Sequence, residues 1–338
     1  MQEAHRFRTL FLALAAALAA CVPTSAQAMY ASGAAIPWSH QPVGGGGALS
    51  LGASVGRVGG SASELVFVYP FGSKTTYSEL TWDIKDVTVA GVEASVRLGA
   101  RFRLNAGYWS AIDEGSGDMV DRDWLYTEEG FLVLAPGDDD WTDESRHPDT
   151  SVDEGTMFDV NLSFQALQAG SFSLLGIVGY KSDTWGWSSR GGTYVYTEES
   201  FRDTVGTFPE GEQVISYEQQ YDIPYIGVGA NWARPAFRVD ARVLLSTLVS
   251  ATDSDYHTYG ARDYEGDFSG GTFVGFGLNA AWIFAPHWFA TLGVEYQSIS
   301  EMTGDVTITR PEGRFSYEDS GGVAMDATMV TLGAGFRF

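Results

Sequence analysis

The 338-residue chain has one cysteine, Cys21, and beyond its N-terminus it has no run of about 18 apolar residues, the length that crosses a bilayer as a helix. A disulfide within the chain and a membrane-spanning helix are therefore both excluded as stabilising elements. Basic residues are also scarce: 20 Lys and Arg stand against 43 Asp and Glu, for a formal net charge of −23. An acidic balance argues against nucleic-acid binding and favours cationic ligands, which such a surface attracts.

The N-terminus has the organisation of a secretory signal. Two arginines precede an apolar run at 10–20 that is too short to span a membrane. Cleavage at a small-x-small site after Ala28 predicts a signal peptide over 1–28 and a single mature domain over 29–338. The alternative is lipoprotein processing, in which Cys21 is acylated.

Hydrophobic residues occur in short alternating stretches rich in Gly, Phe, Tyr and Trp, a pattern typical of outer-membrane barrels. The segment 324–338 alternates apolar with small or polar residues and ends on a terminal aromatic, Phe338. A soluble β-sandwich also alternates, but the signal segment and this terminus favour a ten-stranded antiparallel transmembrane β-barrel, an all-β fold, in a bacterial outer membrane. The predicted strands are 46–69, 77–99, 101–112, 156–168, 171–188, 213–233, 236–252, 271–285, 288–303 and 324–338.

The connections are lopsided, with tight turns on one side of the predicted barrel and long acidic loops on the other. Several strands exceed the roughly 9–11 residues needed to cross a bilayer, so we expect extended strands and loops outside the cell. The predicted long loops are 113–155, 189–212, 253–270 and 304–323. The charged residues predicted to fill the barrel interior are Arg101, Arg103, Asp159, Arg238, Asp240, Arg242, Glu295 and Arg337.

Two pairs of residues, one Asp–His and one Asp–Asp, carry the predicted chemistry. Asp255 and His257 are two residues apart, which is the side-chain period of a strand, so both point the same way. Asp121 and Asp123 form a second such pair in another predicted loop. Peptide hydrolysis needs a nucleophile, a base and stabilisation of the oxyanion. His257 is a candidate base for water, with Asp255 orienting its ring. The two aspartates can hold the same water, one of them with a raised pKa.

A parity conflict accompanies this hypothesis. In the strand predicted at 236–252, Val239 faces outward. Asp255 and His257 are an even number of residues from Val239, so a regular strand would point them outward as well. These two residues can face the cleft only if the strand contains a bulge or a strong twist. We therefore predict a β-bulge after about Leu248.

Five short segments in the predicted loops have distinctive sequences. They are 118–124 (DMVDRDW), 141–150 (WTDESRHPDT), 189–194 (SRGGTY), 201–203 (FRD) and 253–257 (DSDYH). They resemble the signature blocks of the omptin family of outer-membrane endopeptidases, which have ten-stranded barrels. The resemblance extends over essentially the whole mature chain and implies an aspartic-type endopeptidase without a cofactor.

The resemblance also assigns residue roles. It implies Asp121, Asp123, Asp255 and His257 as the catalytic group, with water between the two pairs. It implies Glu64 and Asp253 as acids lining the pocket for the residue before the scissile bond. A carboxylate pair suits an Arg or Lys side chain. The expected substrates are therefore cationic peptides or exposed basic loops of proteins.

Two rival chemistries involve neighbouring residues. Ser145 and His147 are also two apart, with Asp143 before them, and suggest a serine nucleophile. The segment lacks a known nucleophile motif, so we expect these three residues to organise the active-site wall by hydrogen bonds. Carboxylates with histidine also suit a metal ion, but no HExxH motif is present and we predict no metal site.

Lipid binding is where the chain departs from the pattern that the resemblance implies. The family has a basic lipid A-binding patch, and many members require lipopolysaccharide for activity. Tyr180 matches that patch, whereas Ser182, Thr184 and Gln220 stand where charged residues are expected. Because charge-assisted bonds to phosphate are lost, we expect lipopolysaccharide to bind weakly or differently.

Two functions other than proteolysis remain open from the sequence. A non-enzymatic barrel, such as an adhesin or receptor with acidic loops, would keep the fold and lack turnover. A channel is the other alternative, although ten strands enclose little more than their own side chains.

Overall fold

The computed structural model describes residues 49–125 and 141–338. The predicted signal peptide over 1–28 and both processing alternatives, including Cys21, lie outside these residues. Within the described ranges, no helix is long and apolar enough to cross a membrane. The strands are β1 (Leu49–Val68), β2 (Thr75–Leu98), β3 (Phe102–Ala111), β4 (Ser116–Asp123), β5 (Asp143–Ala169), β6 (Phe172–Arg190), β7 (Thr193–Tyr196), β8 (Thr204–Thr207), β9 (Gln213–Ala233), β10 (Phe237–His257), β11 (Arg262–Ile283), β12 (Trp288–Arg310) and β13 (Gly313–Arg337).

The strands close into an antiparallel ring with ten positions. The order is β3-β2-β1-β13-β12-β11-β10-β9-β6-β5, and β5 pairs with β3 to close it. β4 pairs with β2 and β5 beyond the end of β3, so β3 and β4 together occupy one position of the ring. β7 and β8 form a hairpin that pairs with the outer part of β5. The predicted ten-stranded barrel is confirmed.

Side chains alternate as predicted in the apolar half of the barrel. On β5, Phe164 is exposed on the outside, whereas the flanking Ser163 and Gln165 are buried inside. Arg242 pairs with Glu295 across the interior at 2.8 Å (Nη2 to Oε2). The predicted interior residues that are buried are Arg103, Asp159, Arg238, Asp240, Arg242 and Glu295.

Two residues predicted for the interior lie at the tight-turn end of the barrel. Arg101 is exposed in the turn between β2 and β3, so its prediction was wrong because the side chain lies outside the strands. Arg337 lies at the end of β13, where its Nε donates to the carbonyl oxygen of Pro286 at 2.6 Å. It is half-buried with the inward parity of the strand, and its Nη1 is buried.

The long-loop predictions were wrong over most of the length that the structure describes, and residues 126–140 of the first predicted loop lie outside the described residues. β5 begins at Asp143 rather than near 156, β10 continues to His257, and β12 and β13 approach each other to Arg310 and Gly313. β4, β7 and β8 lie entirely within ranges predicted as loops. Outside a bilayer the outward face of a strand meets water instead of lipid, so polar residues occur on both faces and apolar–polar alternation weakens while the backbone ladder continues. The expected extension of strands beyond the membrane is confirmed.

Five strands change parity where the apolar belt ends. Each places two consecutive residues outward, between two buried residues, at a shift in register. The bulge in β10 confirms the one predicted after about Leu248, and it turns Asp255 and His257 toward the interior. The outward pairs are Lys85–Asp86 in β2, Asp153–Glu154 in β5, Thr247–Leu248 in β10, Ser269–Gly270 in β11 and Ser300–Glu301 in β12.

Candidate active site

Asp255 and His257, at the end of β10, are in direct contact through their side chains. Asp255 Oδ2 lies 2.5 Å from His257 Nε2, and the Asp255 side chain is fully enclosed, whereas 28% of the His257 side chain remains exposed. Burial disfavours the charged imidazolium, but the Asp255 carboxylate outweighs this effect and raises the pKa of His257. The arrangement leaves Nδ1 of His257 as the nitrogen that can accept a proton from a ligand.

The second pair lies on β4. The Ser78 hydroxyl on β2 donates to Asp121 Oδ1 at 3.1 Å. Burial raises the pKa of Asp121 to about 6. Burial and the neighbouring Asp121 charge raise the pKa of Asp123 to about 8. Asp123 therefore keeps its proton to a higher pH than Asp121, so that Asp121 is the carboxyl that accepts hydrogen bonds and Asp123 the one that donates.

The two pairs act on each other across the cleft. The charge of His257 lowers the pKa of both Asp121 and Asp123, against the larger effect of burial. Asp121 in turn raises the pKa of His257. The packing agrees with this, because the ring of Trp82, the register partner of Met119 on β4, stacks 5.1 Å from the ring of Tyr217, the register partner of Asp255. The structure therefore brings together two pairs that are remote in the sequence.

The three wall residues predicted on the 141–150 segment lie on β5, directly beside β4. His147 Nδ1 donates to the carbonyl oxygen of Gly191 at 2.5 Å, which leaves Nε2 to accept the Ser145 hydroxyl proton at 3.0 Å. Burial lowers the pKa of His147, so the ring is neutral. Asp143 lies opposite Asp123 in the register and accepts a hydrogen bond from the Thr197 amide at 2.9 Å. Ser145 and His147 are therefore hydrogen-bonded to each other and to Gly191, whereas Asp143 is held separately by Thr197.

This geometry does not favour Ser145 as a nucleophile. In a serine triad, a carboxylate holds the histidine and stabilises its charged form. His147 instead bonds a neutral carbonyl group, that of Gly191, and its pKa is lowered.

Glu64 and Asp253, the predicted pocket acids, lie on β1 and β10, next to the predicted catalytic residues. Glu64 on β1 is 7% exposed, and its Oε2 has no hydrogen-bond partner among the described residues. Burial, with Asp255 and Asp253, raises the pKa of Glu64 well above its usual value. Burial raises the pKa of Asp253 to about 7. Because both acids are buried and close enough to repel, a cation entering the pocket would be strongly attracted.

An aromatic floor lies beneath these acids. The Tyr217 ring stacks on Trp82 with centroids 5.1 Å apart and on Trp187 with centroids 5.9 Å apart. The Trp187 indole donates to the carbonyl oxygen of Asp83 at 3.0 Å. All three rings are buried. The pocket therefore has rigid walls, and the barrel is filled beneath it.

Sequence reasoning missed several residues of the cleft. Ser78, Tyr196 and Tyr217 were assigned no role. Burial, followed by the charges of Asp121 and Asp123, raises the pKa of Tyr196 well above its usual value, which keeps its hydroxyl protonated beside the aspartates. No local motif marks these positions; only the pairing of β2, β7 and β9 with their neighbours brings them to the cleft.

The carboxylates of the cleft do not form a metal cage. Over residues 49–125 and 141–338, no group of three or more His, Cys, Asp or Glu side chains is arranged to hold a metal ion. The acids instead lie in rows along separate strands, with hydroxyl and imidazole groups between them.

On the outside of the barrel, the residues considered for lipid binding surround a carboxylate. The Tyr180 hydroxyl donates to Asp222 Oδ1 at 2.5 Å, and the Ser182 hydroxyl donates to the same atom at 3.1 Å. Thr184 and Gln220 are neighbours in the register of β6 and β9. This patch therefore presents an anionic group and hydroxyl groups rather than cations.

Comparison with known proteins agrees with the fold and the segment pattern. The sequence matches the model of the omptin family over residues 46–338. The chain is 32% identical to Protease 7 of Escherichia coli K12 over 205 residues, which are 60% of this chain and 62% of that protein. It is 28% identical to the plasminogen activator of Yersinia pestis over 292 residues, which are 86% and 89% of the two chains. The crystal structure of the outer-membrane protease OmpT from Escherichia coli superposes with a TM-score of 0.78 at 25% identity, covering 86% of this chain and 96% of that one. The chain therefore belongs to the omptin family and is a β-barrel of the bacterial outer membrane.

Proposed function

We propose that this protein is an endopeptidase that hydrolyses peptide bonds next to basic residues, using water activated between the Asp–His and Asp–Asp pairs. The observation that carries the proposal is the stacking of Tyr217, the register partner of Asp255, on Trp82, which lies beside β4, and the mutual electrostatic effects of His257 and Asp121 agree with it. The named proteases among its relatives support the reaction class. The site lies at the end of the barrel opposite the tight turns, which is the outer side of the membrane.

In the first step, the neutral His257 ring takes a proton from water through Nδ1. The resulting hydroxide attacks the carbonyl carbon of the scissile peptide and forms a new C–O bond. The π electrons of the carbonyl double bond move onto its oxygen. Asp255, held at 2.5 Å from Nε2, stabilises the imidazolium that forms. Ionised Asp121 accepts a hydrogen bond from the attacking water, and protonated Asp123 is a donor toward the developing oxyanion.

In the second step, the tetrahedral intermediate collapses and the C–N bond breaks. The imidazolium of His257 transfers its proton to the leaving amine, so the ring returns to its neutral form. No covalent bond to the enzyme is made, in agreement with Ser145 being bonded to a neutral histidine. General-base assistance of this kind typically contributes about 10²–10⁴-fold to the rate.

The preference for basic residues follows from Glu64 and Asp253. Both are buried, and burial raises the pKa of each, so their ionised forms are disfavoured while the pocket is empty. An Arg or Lys side chain would favour their ionised forms and replace the mutual repulsion by charge-assisted hydrogen bonds. Cationic peptides and exposed basic loops are accordingly the proposed substrates.

We also propose that activity does not require a tightly bound, phosphorylated lipid A. The outward patch of Tyr180, Ser182 and Asp222 presents a carboxylate where a phosphate would need cations. Assays of the refolded protein with and without lipopolysaccharide test this. A strict requirement for phosphorylated lipid A would contradict it.

The function is tested with internally quenched peptides that contain one Arg in an otherwise neutral sequence. The refolded wild-type protein should cleave next to Arg, whereas His257→Ala should lose at least about 100-fold in kcat/KM. Thr258→Ala, at an exposed neighbouring position, is the matched control. A non-enzymatic adhesin or receptor predicts no cleavage by any form. A channel predicts single-channel conductance in planar bilayers.

A further inference from the structure

A chain of hydrogen bonds runs through the barrel interior from the Asp253 carboxylate to the backbone of β1 beside Glu64. The Tyr217 hydroxyl donates to Asp253 Oδ2 at 3.1 Å. The Gln219 side-chain amide donates to the Tyr217 hydroxyl and, at 2.9 Å, to the carbonyl oxygen of Ser63. Tyr221 completes the chain, because its hydroxyl donates to Gln219 Oε1 at 2.7 Å.

The link to Ser63 crosses the barrel. Gln219 lies on β9 and Ser63 on β1, which occupy opposite positions of the ten-position ring. Ser63 immediately precedes Glu64, and Gln219 is the register partner of Asp253 on β10. One amide group therefore connects the strand that carries Glu64 with the strand pair that carries Asp253.

The chain is rigid and fully enclosed. Tyr217 is 2% exposed, and Gln219 and Tyr221 are completely buried. Trp82 and Trp187 both pack against the Tyr217 ring and lie 5.9 Å from each other between centroids, so the three rings form one packed cluster that restrains Tyr217. A hydroxyl held in this way determines the orientation of the carboxylate that it bonds.

We propose that Tyr217 and Gln219 are positioning residues that fix the Asp253 carboxylate and its separation from Glu64, so that the pocket selects Arg over Lys. The inference rests on the proposed protease function. A guanidinium is planar and binds carboxylates through a fixed fork, so it depends on carboxylate orientation. An ammonium is a compact point charge with rotatable donors, and it depends on orientation much less.

The test compares two quenched peptides that differ only in Arg or Lys before the cleaved bond. Tyr217→Phe keeps the stacked ring and removes only the hydroxyl. It should lower kcat/KM for the Arg peptide by about tenfold through KM, with a smaller effect on the Lys peptide, because a hydrogen bond to a charged group is lost. Gln219→Leu should lower the Arg-to-Lys ratio in the same direction. The pH profile of kcat should not move in either variant, since His257 and its partner are untouched.

Tyr225→Phe is the matched control. Tyr225 lies lower on the same strand, and its hydroxyl donates to the carboxylate of Asp159 at 2.7 Å, far from the pocket acids in the register. This variant should lose the same kind of bond without any change in the Arg-to-Lys ratio. An unchanged ratio in Tyr217→Phe, or an equal change in Tyr225→Phe, would overturn the positioning role while leaving the protease function intact. No cleavage of either peptide by the wild-type protein would instead refute the function itself.

Discussion

Replacing Asp255 by Asn tests the proposed mechanism most directly. The Asp255 carboxylate is 2% exposed and lies 2.5 Å from His257 Nε2, so an isosteric amide keeps the packing and removes only the charge. The amide can donate its own N–H to Nε2, which places the ring proton on Nδ1 and blocks the base. The charged imidazolium also loses its partner. Loss of the corresponding carboxylate in a serine triad costs about 10⁴-fold, so we expect a decrease in kcat of about 10³–10⁴-fold, or about 4–5.5 kcal/mol of barrier.

The assay is the kcat of the refolded barrel on an Arg-containing quenched peptide across pH. Since Asp255 raises the pKa of His257 against the effect of burial, the variant should also shift the acidic limb of its residual activity to lower pH. Asp267→Asn, which makes the same change at an exposed position on β11, should behave as wild type. If folded Asp255→Asn keeps more than a tenth of the wild-type kcat, His257 is not the base that this geometry implies.

Three further outcomes follow from the site. Activity should fall as pH rises through about 8, because Asp123 must be protonated to donate, and Asp123→Asn should remove this basic limb from the kcat–pH profile. Glu64→Gln should raise KM for an Arg peptide by about tenfold with little change in kcat. The wild-type KM should climb as pH falls through about 7, where Asp253 takes up a proton. A KM that does not change with pH would argue against the acid pocket. Ser145→Ala should keep at least a tenth of kcat and should not prevent hydrolysis in single-turnover assays, whereas loss of a nucleophile would reduce the rate by several orders of magnitude.

Much of the barrel was predictable because its signals are local. Alternation within the apolar belt correctly predicted which side chains of β5 face inward (Ser163 and Gln165) and which faces outward (Phe164). The tight turns set the inner strand ends to within a few residues, as at Ala233 and Phe237. A strand that separates lipid from a filled interior has two different environments on its two faces, and its sequence records that difference.

The outer strands were not predictable in the same way. β4 and the first part of β5 stand in water on the outside and line a polar cleft on the inside. Polar residues therefore occur on both faces, and the sequence of such a strand resembles that of an acidic loop. The resemblance of the 141–150 segment to a family block identified the segment as important without indicating that it is a strand.

The sequence by itself determined which residues pair along a strand: Asp255 with His257, and Asp121 with Asp123. The period of two is a property of the extended backbone and needs no tertiary contact. Only the tertiary structure decided that these pairs line one cleft, and that Tyr217 and Gln219 are hydrogen-bonded beside Asp253. Facing across a cleft depends on ring closure, on register and on the bulges at the membrane boundary, each of which is set by backbone pairing between segments far apart in the chain.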